Sequence, residues 1–126
     1  MNDLIIDGSE KLPTIKFLAN GQLSVFGRCI PENAVEFFEP IEKWMDHYAE
    51  SPNPETTLEI FLDYFNTSSS KCILDLFRQL EAIVQAGNTS GRVIWKFIEE
   101  DEDMEEAGED YSSIVDVPFD LQEINP

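Results

Sequence analysis

The chain has 126 residues, 42% of them hydrophobic, which suffices for one packed domain and is too short for two. Its 26 acidic and 8 basic residues give a net charge of −18, which excludes the clustered Lys and Arg that nucleic-acid backbones and anionic lipid surfaces require. The start, Met1 to Asp7, lacks a basic segment and a long apolar run, so neither a signal peptide nor a membrane span is expected and the protein reads as cytosolic. Cys29 and Cys72 then read as reduced, partly buried thiols.

Taken in chain order, Leu4 to Ile6 suits a short first strand. Thr14–Leu18 and Gln22–Phe26 flank Ala19-Asn20-Gly21, and Asn-Gly between alternating runs predicts an antiparallel hairpin, because both residues tolerate positive φ. Pro31-Glu32-Asn33 opens a helix, with Asn33 as N-cap and Glu36 at the capping-box spacing. Phe37, Phe38, Ile41, Trp44, Met45 and Tyr48 mark its buried face, and Pro40 inside the run predicts a kink or irregularity.

Thr57–Phe65 reads as a strand with Leu58, Ile60, Leu62 and Tyr64 on one face. Its other face turns apolar toward the C-terminal end, the pattern of a strand covered on both sides. Asn66-Thr67-Ser68-Ser69-Ser70-Lys71 follows, then a helical stripe from Ile73 to Val84 with Gly87 as the residue just past the helix end. Arg92–Ile98 is a further strand. Residues 99–110 are acidic at nine of twelve positions, and Met104, Ala107 and Tyr111 give that segment a thin helical apolar face. A last strand is expected near Val117 to Leu121. Strands alternating with helices after a hairpin predict one α/β domain, residues 1–126, with a mixed β-sheet and helices packed on it.

Chemistry concentrates at the junction from Phe65 to Lys71, where a buried strand ends, hydroxyls cluster and a helix begins. The first turn of a helix carries free N–H groups and partial positive charge, so an anion is stabilised there. The plain reading is a cap made by Asn66 or Thr67. The sharper one is a phosphorylation switch: a phosphate adds about −1.5 to −2 charges where the helix tolerates them, and Lys71, four residues past Thr67, shares its face.

Other patterns lead elsewhere. The acidic run fails the calcium-loop pattern, since the sixth and twelfth positions from Asp101 are Glu106 and Ser112, and it reads as a solvated face. His47 is the only histidine and has no paired cysteine to make a zinc site. No strained Gly-x-Ser-x-Gly turn supports a serine hydrolase, and Gly87–Arg92 reads as a connecting turn. No cofactor or metal is expected.

The chain resembles the SiaC family of bacterial regulatory phosphoproteins, whose fold is similar to STAS-domain anti-anti-sigma factors. The resemblance runs from about residue 31 to residue 120 and rests on Pro31-Glu32-Asn33 leading into Phe37-Phe38 and Trp44, on Leu58–Tyr64 running into Asn66-Thr67-Ser68-Ser69 and Lys71, on Arg92–Trp95 and on Val117-Pro118-Phe119. It implies a STAS-like domain in which Thr67 is the phosphoacceptor and Asn66, Ser68, Ser69 and Lys71 form its surroundings. It further implies a cognate Ser/Thr kinase of the anti-sigma type, an opposing metal-dependent phosphatase, and an effector, a diguanylate cyclase in resembling members, bound by the unphosphorylated form. Anti-anti-sigma factors usually carry an Asp-Ser-Ser-Gly-like turn at this place; Asn66-Thr67 departs from it, which favours SiaC-type regulation over an antagonist of an anti-sigma factor. A small acidic metal-dependent enzyme and a scaffold without switching are the remaining alternatives.

Overall fold

The computed structural model describes residues 1–126. The elements are β1 (Leu4–Ile6), β2 (Thr14–Phe17), β3 (Gln22–Cys29), α1 (Ala34–Tyr48), β4 (Glu55–Phe65), α2 (Thr67–Gln85), β5 (Ser90–Ile98), α3 (Glu102–Ile114) and β6 (Phe119–Ile124). They form one six-stranded sheet in the order β1-β2-β3-β4-β5-β6. The first three strands pair antiparallel, and β3 to β6 pair parallel, each joined to the next through a helix. The mixed α/β domain with an N-terminal hairpin is therefore as expected.

Local signals account for the hairpin and the caps. Leu18 to Gly21 closes as a turn, with Gly21 N–H donating to the Leu18 carbonyl at 3.0 Å. Gly21 takes φ +96°, whereas Asn20 does not enter the positive-φ region, so the glycine alone supplies the unusual backbone. Asn33 caps α1 by accepting the Glu36 N–H at 3.1 Å, and Gly87 follows α2 at φ +84°. The helix α1 passes through Pro40 as one element. Pro40 is exposed there, and it leaves the Glu36 carbonyl without its usual helical donor.

Every helix lies on one face of the sheet. The register aligns Phe17, Leu23, Leu58, Val93 and Phe119 in one row. The neighbouring row is Ile15, Val25, Ile60, Trp95 and Leu121. Phe17 meets Trp44 of α1, and Trp95 meets both Phe77 of α2 and Tyr111 of α3. Consecutive right-handed crossovers between adjacent parallel strands always deliver their helices to the same side.

The opposite face carries Lys16, Ser24, Glu59, Ile94 and Asp120 in one row and Phe26, Phe61 and Lys96 in the next, with no helix over it. The expectation that β4 is covered on both sides is corrected: its outer face lies in a layer that carries charged side chains and no helix. Lys96 bridges to Glu59 at 2.8 Å, and Lys16 Nζ stands 5.8 Å from the centre of the Phe26 ring. A bulge corrects a second expectation. The β3–β4 register jumps from Gly27↔Leu62 to Arg28↔Tyr64, which leaves Asp63 extra. Past it the pleat reverses: Tyr64 turns outward, 55% exposed, and Phe65 turns inward against Trp95 and Tyr111.

The last strand begins two residues later than expected. Val115 and Val117 are buried in the connection from α3, and the ladder starts at Val93↔Phe119 because Pro118 has no N–H to donate.

The seam between α1 and α2 carries like charges. Glu42 lies beside Asp75, Asp46 and Glu39, and burial, followed by those carboxylates, pushes its pKa up. A raised folded-state pKa contributes stability below the ordinary carboxylate range and loses it as pH rises through the folded value. Glu42→Gln is expected to raise the melting temperature at pH 7 by about 2 °C, with the gain vanishing near pH 4. Melts at the two pH values check this, and an equal gain at both would refute it.

Candidate functional site

The site lies where the C-terminal ends of β3 and β4 meet the start of α2. Asn66 leaves the strand extended, at φ −81° and ψ 168°, and caps the helix. Its side-chain oxygen accepts the Ser69 N–H at 3.1 Å and the Ser68 hydroxyl at 3.3 Å. Its amide nitrogen donates to the Pro31 carbonyl at 3.2 Å, and its backbone N–H donates to the Cys29 carbonyl at 3.0 Å. One residue thus ties the start of α2 to the end of β3 and to the loop before α1. The sequence left the cap open between Asn66 and Thr67; the structure assigns it to Asn66.

Thr67 is the first residue of α2, and its side chain is exposed. The first turn of α2 holds no acidic residue, whereas α1 has Glu36 and α3 has Glu102, Asp103 and Glu105 in theirs. The positive end of the α2 dipole is therefore not offset by its own helix.

The hydroxyls after Thr67 differ sharply. Ser68 is exposed. Ser69 is 0% exposed, and its Oγ is enclosed without a hydrogen-bond partner. It lies beside the thiol of Cys29, which burial pushes up in pKa. Ser69, expected among the surroundings of Thr67, thus belongs to the interior. Ser70 is half-buried, and its Oγ donates to the Thr67 carbonyl at 2.6 Å. Lys71 is exposed and pairs with no carboxylate.

Two partners of this site carry no local sequence signal. Tyr111 of α3 donates its hydroxyl to the Ser70 carbonyl at 2.8 Å, across 41 positions of chain. Burial pushes its phenol well above the ordinary range, which keeps the proton in that bond. Cys29, buried at the end of β3, is the other. Only the spacing of Met104, Ala107 and Tyr111 hints that Tyr111 faces inward.

No group of three or more His, Cys, Asp or Glu side chains is arranged to hold a metal ion. No helix is long and apolar enough to cross a membrane.

Fold and site together define a small single-domain α/β protein with a capped, solvent-facing threonine at the entrance of its second helix. The sequence matches the model of the SiaC family regulatory phosphoproteins over residues 6–124, and the chain belongs to that family. An uncharacterized protein of Pseudomonas aeruginosa (strain UCBPP-PA14) is 30% identical over 123 residues, which covers 97% of each chain. Among solved structures, SiaC of Pseudomonas aeruginosa superposes with a TM-score of 0.89 at 29% identity, covering 98% of this chain and 100% of that one. The structure of diguanylate cyclase SiaD in complex with its activator SiaC, from the same organism, matches with a TM-score of 0.90 at 29% identity, covering 97% of this chain and 100% of that one.

Proposed function

We propose that this chain is a non-catalytic switch protein, reversibly phosphorylated on Thr67, whose unphosphorylated form binds and activates a diguanylate cyclase. The observation that carries the reading is the place of Thr67: exposed, first in α2, directly after its cap and in a first turn free of acidic side chains. A phosphate there meets the free N–H groups and positive end of the helix, so the fold accommodates it. Lys71, one turn on and unpaired, is the nearest cation along that helix face.

Family membership supports a regulatory role, and the diguanylate cyclase complex of the Pseudomonas relative supports the class of effector. A cognate Ser/Thr kinase adds the phosphate and a phosphatase removes it. The site acts in the cytosol; Cys29 and Cys72 are free thiols, the form that a reducing compartment maintains.

Of the neighbouring hydroxyls, Ser69 is enclosed and Ser70 is engaged with the Thr67 carbonyl. Treatment with the cognate kinase is therefore expected to add one phosphate, mapped by mass spectrometry to Thr67, and Thr67→Ala is expected to abolish it. A phosphate mapped outside residues 66–71 would overturn the assignment.

A further inference from the structure

The uncovered face of the sheet stands apart from the rest of the chain in charge. Lys16, Arg28, Arg92 and Lys96 point out of it, half of the chain's 8 basic residues. Glu55, Glu59, Asp63 and Asp120 point the same way and balance them. The net charge of −18 therefore lies wholly outside this face. A second copy that approaches the acidic helices meets strong repulsion, whereas one that approaches the open sheet meets a surface with no net charge. The middle of that surface is aromatic: Phe26 of β3 is the register partner of Phe61 of β4, and Phe26 is 39% exposed.

The register makes this face complementary to itself. A twofold axis that runs along the strands, between β3 and β4, lays β1 over β6, β2 over β5 and β3 over β4 of another copy. In the row of the phenylalanines, Phe26 of each copy then meets Phe61 of the other, and Thr14 meets Lys96. In the neighbouring row Ser24 faces Glu59, and Lys16 stands over Ile94, between Glu59 and Asp120. Neither row sets like charge against like charge.

We propose that the open sheet face pairs with the same face of a second copy to form a twofold-symmetric dimer. The two sheets pack about 10 Å apart with the helices outermost. The strands β3 and β5 run 8 and 9 residues, so the face measures about 24 by 27 Å. Two such faces bury about 1,300 Å², at the lower end of specific interfaces. The dimer is accordingly weak, with a dissociation constant on the order of 100 μM. Because the axis follows the strands, both Thr67 residues open at the same end of the dimer.

Sedimentation equilibrium of the full unphosphorylated chain tests this, from about 10 μM to about 1 mM and at low and high salt. A species of twice the chain's mass is expected to build up across that range and to strengthen with salt, which screens the excess negative charge. Phe26→Asp is expected to weaken it about tenfold or more. Lys16→Glu sets a further carboxylate beside Glu59 and Asp120 of the other copy and is expected to weaken it about fivefold, while adding Asp120→Lys to the same chain restores it. Lys16 and Asp120 are exposed and form no salt bridge, so these variants keep the wild-type melting temperature. Val35→Asp, at a position 72% exposed on α1, leaves the dimer unchanged. A chain that stays monomeric at the highest concentration in high salt would overturn the proposal. So would a dimer that Phe26→Asp or Lys16→Glu leaves intact, one that Asp120→Lys fails to rescue, or one that Val35→Asp disrupts. No kinase or effector enters the experiment, so its outcome is separate from the assignment of Thr67.

Discussion

Truncating Trp95 to alanine lowers the unfolding free energy by about 3–5 kcal/mol, the usual cost of removing a large aromatic side chain from a packed core. Trp95 is 0% exposed in the middle of β5. Its ring lies within 6.3 Å, centre to centre, of Phe65, Phe77, Tyr111 and Phe119. Its indole N–H donates to the Met104 carbonyl at 2.9 Å, which fastens α3 to the sheet. The helix approaches closely because position 108 is glycine: a Cβ there would stand 2.5 Å from both Trp95 and Leu121. The loss is large against a typical total of about 5–15 kcal/mol, and it falls first on α3. Urea titration measures it, and hydrogen exchange is expected to show α3 losing protection before β3 and β4. A loss under about 1 kcal/mol would mean that α3 packs without this anchor. Trp95→Phe, which keeps most of the volume but leaves the Met104 carbonyl without its donor, is expected to fall between the two.

Thr67→Asp weakens binding of the proposed diguanylate cyclase partner at least tenfold, about 1.4 kcal/mol, while the fold stays intact. The hydroxyl of Thr67 makes no hydrogen bond to the rest of the chain, since only its backbone carbonyl is engaged, by Ser70. A carboxylate at the first helical position interacts favourably with the helix dipole, by about 0.3–1 kcal/mol. The melting temperature is therefore expected to change by no more than about 3 °C. Thr67→Val, similar in size and uncharged, is expected to bind as the wild type does, which separates charge from shape. Titration of the partner against all three proteins, with melts of the same preparations, is the measurement. Equal affinity for Thr67→Asp and wild type would remove charge at this position as the signal. The chain already carries a net charge of −18, so a phosphate changes the total by little; its position, at the entrance of α2, gives it effect.

Most elements were legible in the chain because their signals are local. Glycine at a turn, asparagine before a helix, apolar residues at spacings of three and four, and strict alternation each act within a few residues. The sequence by itself determined the order of elements, the cap at Asn33, the place of Thr67 at a helix entrance and the concentration of acid in residues 99–110. Tertiary structure alone decided the rest. That β4 is covered on one face follows from the common hand of three crossovers, which no strand encodes by itself. The outward turn of Tyr64 and the inward turn of Phe65 follow from a bulge at Asp63, a register shift that exists only against β3. Four consecutive hydroxyls look alike as text, yet the helix turns Ser69 into the core beside Cys29 and leaves Thr67 in water. The hydrogen bond from Tyr111 to Ser70 joins residues 41 positions apart. Such contacts depend on where three elements meet in space, and periodicity and capping carry no information about that meeting.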